Sequence, residues 1–212
     1  MGKYPPRWDR KDGSDALWID HATLVDGDLQ RFEGVRRLTA WNVKFPPGFL
    51  ARIPGLWWLD LRGGSASDIT VIDGLEGLRG LSVNQVRGLA DLGAIERLGR
   101  LEFLDLYGLS RVESLPRLEQ LLSLRRIQLG QLRSLRDWRP LAAAPALEEL
   151  LFVNKLYPDD GIVAALAAHP TLRTFGWFAP DEPDRVVASV VKRIDRLPVR
   201  MMDSEDWFSE VP

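Results

Sequence analysis

Histidines, cysteines, paired acids and glycine-rich turns are the usual material of a catalytic or metal centre, and this chain uses few of them in that way. Cysteine is absent and histidine occurs twice, as His21 and His169. Disulfides, thiolate catalysis and thiolate metal sites are therefore excluded. The repeat spacing developed below puts the two histidines near opposite ends of the molecule, too far apart to share a metal or a proton. Neither G-x-S-x-G nor H-E-x-x-H occurs, and Arg62-Gly63-Gly64 lacks the Lys-Ser or Lys-Thr that follows in a phosphate loop. The pair Asp159-Asp160 reads as the start of a helix rather than as an acid–base couple. No catalytic residue, metal or cofactor is expected.

The residues suited to chemistry of another kind, recognition, are aromatic and charged, and their spacing follows a lattice of apolar residues. Leu78-x-x-Leu81-x-Val83 returns as Leu101-x-x-Leu104-x-Leu106, Leu124-x-x-Ile127-x-Leu129 and Leu147-x-x-Leu150-x-Phe152, each step being 23 residues. Leu56-x-x-Leu59-x-Leu61 and Val35-x-x-Leu38-x-Ala40 precede them, Leu17-x-Ile19 forms a part-unit, and Leu172-x-x-Phe175-x-Trp177 follows at a longer interval. A fixed period of this size marks a solenoid, whose units bury their apolar faces only against neighbours. Alternation within each L-x-L makes it a short strand, so about eight parallel strands are predicted. Between strands the apolar residues fall every third position (Val86, Leu89, Leu92, Ile95, Leu98), which suits 3₁₀ and turn on the convex side. Helices are predicted near Asp159 to Ala168 and from Pro183 to Arg196, the second carrying an apolar stripe of Val186, Val187, Val190, Val191 and Ile194. That helix should cap the last repeat.

These strings resemble leucine-rich repeats, from Leu17 to Trp177. The middle units are similar to the short class found in bacterial surface proteins and phosphatase regulators. The unit ending GIVAALAAHPTL is similar to the ribonuclease-inhibitor class, with a true helix on its convex side. The family usually places Asn three residues after the second strand leucine, whereas here stand Gly64, Val86, Leu109, Leu132 and Lys155. The turn backbone must then be satisfied by water or main-chain bonds. The resemblance implies an α/β fold: a curved right-handed solenoid with a concave parallel sheet, a convex side of 3₁₀ turns and a C-terminal capping helix. One domain is expected over residues 1–212, with an N-terminal cap or part-repeat at 12–34, repeats at 35–178, and a cap helix and acidic tail at 179–212. Residues before Asp12 and after Met202 are expected to be loose or peripheral, with the acidic tail folding back on the C-terminal cap.

In such a solenoid the strand residues that do not point inward line up across the concave face, one per repeat. The columns bring together Trp18, Trp41, Trp58, Phe103 and Tyr107, with Asp60 and Asp105 among them, Arg62 and Arg126 flanking, and Asn84 and Gln128 beside them. Aromatic anchors interspersed with charge are the composition of interface hot spots. These residues are taken as the partner-binding set. A second basic stretch, Arg125, Arg126, Arg133, Arg136 and Arg139, is interrupted by Glu113, Glu119 and Asp137 and reads as a solvated edge.

Formal net charge is −2, which gives no global drive toward nucleic acid or an anionic membrane. No run of apolar residues is long enough to span a bilayer. The charged, proline-broken start MGKYPPRWDRKDGSD does not read as a secretory signal. The expectation is a cytoplasmic protein of bacterial style, monomeric by default, whose concave face takes a protein or peptide partner in the manner of an inhibitor or immunity-type binder. A regulatory or scaffold subunit is the alternative, and an enzyme with an unrecognised site the more distant one.

Overall fold

The computed structural model describes residues 6–10, 13–202 and 204–210. Among the described residues ten strands form one sheet in chain order: β1 (Arg7–Asp9), β2 (Ala16–Asp20), β3 (Arg37–Trp41), β4 (Trp58–Arg62), β5 (Gly80–Asn84), β6 (Phe103–Tyr107), β7 (Arg126–Gly130), β8 (Glu149–Val153), β9 (Thr174–Phe178) and β10 (Leu197–Pro198). The eight strands β2 to β9 are parallel and in register, so Leu38, Leu59, Leu81, Leu104, Ile127, Leu150 and Phe175 form one continuous inward row. All seven are fully buried or within 1 % of it. One apolar core runs from Leu17 to Ile194, as the 23-residue lattice requires.

The return paths are 3₁₀ and turn in the first half of the chain, at Asp26–Phe32, Leu50–Arg52, Thr70–Ile72 and Gly93–Arg97. Helices follow only later: α1 (Arg139–Ala142), α2 (Asp160–Ala167) and α3 (Asp184–Ile194). Asp159 caps α2, its carboxylate accepting from Ile162 N–H at 2.8 Å. In α3 the stripe is narrower than expected: Val190 and Ile194 are buried, whereas Val186 is exposed.

The missing asparagine ladder has a main-chain substitute. The residue after each strand from β2 to β8 takes the left-handed conformation: His21, Asn42, Gly63, Gln85, Gly108, Gln131 and Asn154 all have φ between 49° and 70°. That geometry aims successive N–H groups at the next repeat. His21 N–H donates to Trp41 O at 2.9 Å, Gln85 N–H to Tyr107 O at 2.8 Å and Asn154 N–H to Phe178 O at 2.7 Å. Main-chain bonds of this kind take the place of the asparagine side chain, with Trp177 Nε1–H adding a bond to Asn154 O at 2.9 Å, and Val86, Leu109 and Leu132 join the core.

Two expectations about the ends are corrected. Arg7–Asp9 is not loose but pairs antiparallel with β2, held by Trp8, whose ring meets Phe32 edge-on at 5.8 Å. The segment after Met202 is not peripheral either. After β10 the chain turns back across the concave face and ends, among the described residues, in the short helix α4 (Trp207–Glu210). No helix among the described residues is long and apolar enough to cross a membrane.

Candidate functional site

The strand register confirms the three concave columns residue by residue. Arg37, Trp58, Gly80, Phe103, Arg126, Glu149 and Thr174 form the first. Trp18, Thr39, Asp60, Ser82, Asp105, Gln128, Leu151 and Gly176 form the second. Asp20, Trp41, Arg62, Asn84, Tyr107, Gly130, Val153 and Phe178 form the third.

The first column is covered. Trp58 is 1 % exposed, Phe103 0 % and Arg126 0 %, which corrects the expectation that these three present a free surface. The cause is the C-terminal segment. Trp207 and Phe208 enter between them, with ring centroids 5.8 Å apart for Phe103 and Trp207 and 5.9 Å for Trp58 and Phe208. The three fully covered rings Trp58, Phe103 and Trp207, with Trp57, Met202 and Phe208 around them, make a second apolar cluster separate from the main core. Two glycines leave the space. A Cβ at Gly80 would lie 2.2 Å from Trp58 Cε3 and 2.9 Å from Phe208 Cε2, and one at Gly176 would lie 2.5 Å from Val199 Cγ1. The tail therefore docks on the concave columns, not on the C-terminal cap.

Polar contacts fix its path. Arg126 donates to Glu149 Oε2 at 2.8 Å, to Gln128 Oε1 at 3.3 Å and to the main-chain oxygen of Arg200 at 3.0 Å. Trp207 Nε1–H donates to Glu149 Oε1 at 3.2 Å, and Arg37 donates to Glu205 Oε2 at 3.2 Å. Arg126 and Gln128 are thus tail anchors rather than an open surface. The rest of the basic stretch is in part neutralised locally, Arg125 by Glu148 and Arg139 by Asp137.

What stays at least partly open is the third column apart from Gly130, and the first-repeat end of the second. Trp18 is 40 % and Trp41 42 % exposed, their rings 6.4 Å apart and tilted by 32°. Asn84 and Tyr107 are partly exposed, and Tyr107 leans over Gly130 with its hydroxyl accepting from Asn154 Nδ2 at 2.7 Å. Phe178, in the same column, is also exposed and was not singled out from the sequence.

Between the open column and the tail lies a cavity of about 460 Å³. Its wall includes Trp18, Trp58, Asp60, Arg62, Ser82 and Asp105 from the sheet and Ser204, Glu205 and Asp206 from the tail. Arg62 Nε–H donates to Asp60 Oδ2 at 2.7 Å, and the Ser82 hydroxyl donates to Asp105 Oδ2 at 2.8 Å. Burial pushes the Asp60 carboxyl above its ordinary range in spite of Arg62. Burial also pushes Asp105 up to about 6, the charge of Asp60 adding to the effect and the Ser82 hydrogen bond opposing it. Glu205 is raised chiefly by burial as well, with Arg37 pulling the other way. Sequence reasoning placed Asp60 and Asp105 on this face but missed Glu205 and Asp206, whose position depends on the returning tail.

No group of three or more His, Asp or Glu among the described residues is placed to hold a metal ion. His169 is buried and its imidazole is held below its usual range by desolvation, far from this cavity in the fold.

The solved structure of internalin C2 from Listeria monocytogenes superposes with a TM-score of 0.57 at 19 % identity, covering 89 % of this chain and 80 % of that one. The chain is a leucine-rich-repeat solenoid. The repeat lattice, the in-register parallel sheet and the 3₁₀ convex side agree with that neighbour. Internalin F from the same organism is also similar, at 15 % identity and a TM-score of 0.33 over 84 % of this chain and 71 % of that one. No family model matches the chain, and no curated protein matches it. At these identities the likeness reaches as far as the fold of the solenoid.

Proposed function

We propose that this leucine-rich-repeat solenoid is a non-catalytic module that binds a protein or peptide on the open part of its concave face. The observation that carries the reading is the Trp18–Trp41 pair. Two large indoles stand side by side on rigid strands, each about two-fifths exposed, beside the partly exposed Arg62 and Tyr107. Exposed aromatic pairs supply contact area at low entropic cost and are the usual anchors of an interface. Solenoids of this type use their extended concave surface for recognition. The covered rings Trp58 and Phe103 leave the binding set and join the scaffold.

An inhibitor or immunity-type role corresponds to one tightly held partner, and a regulatory or scaffold role to several. Affinity capture from the native host separates them. The wild-type chain should retain one discrete protein that the Trp18→Ala/Trp41→Ala double variant loses. Several co-purifying proteins would favour the scaffold role, and an unchanged pattern with the double variant would remove the concave face from the account. The reading also places the protein in the cytoplasm as a monomer, which fractionation of the host and sedimentation of the purified chain check.

A further inference from the structure

The wall of the concave cavity is rich in acid. Asp60, Asp105, Glu205 and Asp206 contribute to it, Arg62 is the one guanidinium in the wall, and Arg37 outside it pairs with Glu205. Arg62 engages a single oxygen, Asp60 Oδ2, with Nε and Nη2 at 2.7 and 2.6 Å. The other oxygen, Oδ1, is buried with no hydrogen-bond donor at bonding distance among the described residues, the neighbouring Ser82 hydroxyl being given to Asp105, on a residue only 3 % exposed. The indole Nε1–H of Trp58, another wall residue, is likewise buried with no acceptor among the described residues. A buried carboxylate oxygen without a donor costs free energy that packing alone does not return. Trp18 adds an indole already partnered by a guanidinium, with Arg62 Cζ 5.8 Å from its ring centroid.

We propose that this cavity receives an arginine side chain of the partner. The inference rests on the protein-binding reading above and names the group that the partner would present. A second guanidinium supplies what the wall lacks. It carries N–H donors for Asp60 Oδ1 and for the Asp105 carboxylate, and positive charge to offset a wall of net negative charge. Its flat face suits an indole. Lysine brings charge but neither the plane nor the fork. The tail segment 204–206 contributes to the cavity wall, so Glu205 and Asp206 would stand beside the guest.

The test uses the intact chain and Nα-acetyl-arginine methylamide as the probe, with the lysine and citrulline equivalents as controls. Binding is followed through the indole N–H resonances of Trp18 and Trp58. The arginine probe should bind saturably and shift both resonances, the lysine probe should bind more weakly, and the citrulline probe, which keeps the shape without the charge, should not bind. Asp60→Asn and Asp105→Asn should each weaken the arginine probe by about tenfold, since each removes a charge-assisted contact. No saturable binding, equal binding of citrulline, or tighter binding of lysine overturns the proposal. The three-probe comparison on the unmodified chain stands even if a variant folds poorly. Should the Trp18→Ala/Trp41→Ala variant lose its partner while Asp60→Asn and Asp105→Asn keep it at full affinity, the arginine pocket fails and the wider reading survives. Should the tryptophan variant keep its partner, it is the wider reading that fails.

Discussion

Gly80 and Trp58 lie side by side in the first concave column, and the absence of a side chain at one is what permits the placement of the other. A Cβ on Gly80 would sit 2.2 Å from Trp58 Cε3 and 2.9 Å from Phe208 Cε2. The same void thus seats a strand residue of the second full repeat and a ring of the returning tail. The concave sheet is built to be partly covered by its own chain.

Gly80→Ala should therefore lower stability by about 1–3 kcal/mol, the usual cost of overpacking, and loosen the tail. Gly77→Ala is the control, because a Cβ there meets nothing within 4 Å. Chemical denaturation compares them. Equal, small effects would mean that Trp58 and Phe208 do not share that space.

The apolar cluster under the tail is separate from the main core, so its loss should be local. Trp207→Ala should expose Trp58 and Phe103, raise the binding of a hydrophobic dye and speed hydrogen exchange of residues 199–208. Exchange in the inward rows of β4 to β6 should stay protected. Global loss of protection would show that the tail is integral to the solenoid.

Leu104→Asp should behave in the opposite way. Leu104 is fully buried in the inward row of β6, and an unpaired carboxylate there costs several kcal/mol. Circular dichroism should show the array unfolded or strongly destabilised at neutral pH. A melting point near that of the wild type would contradict the inward assignment.

The repeat lattice made the strands, their register and the identity of every column residue legible in the sequence, because a period of 23 with apolar residues at fixed offsets admits one stacking. Exposure was not legible. Trp58, Phe103 and Arg126 occupy the outward positions expected of them, but a segment far along the chain lies on top. Local periodicity carries no record of such a contact. Two signs of it were present: glycine at Gly80 and Gly176 in columns otherwise filled by larger residues, and adjacent Trp207 and Phe208 in an acidic tail. The left-handed turns were also partly hidden, since Gln85 and Gln131 are not residue types that announce a positive φ.

Asp105 sets a pH dependence of known sign. Its folded pKa is raised to about 6 from a reference of 3.8, so the folded state holds the proton more tightly. Its carboxyl therefore favours folding below pH 4 and progressively disfavours it as pH rises to 6, by roughly 3 kcal/mol once both states are ionised. Asp105→Asn, which keeps an acceptor for Ser82, should raise the melting temperature at pH 7 and make little difference at pH 3.5. A variant less stable than wild type at pH 7 would show that the charge is compensated. Stability given up at this position fits a carboxylate retained for a guest.

The central claim, that a macromolecular partner sits against the open concave column, is most directly tested by a photo-crosslinking residue placed at Trp41 and, as a control, at Leu122, an exposed residue in the turn before β7. In extract of the native host, irradiation should join the chain to one discrete protein from position 41 and to none from position 122. Crosslinks of equal yield from both positions, or from position 122 alone, would contradict the account.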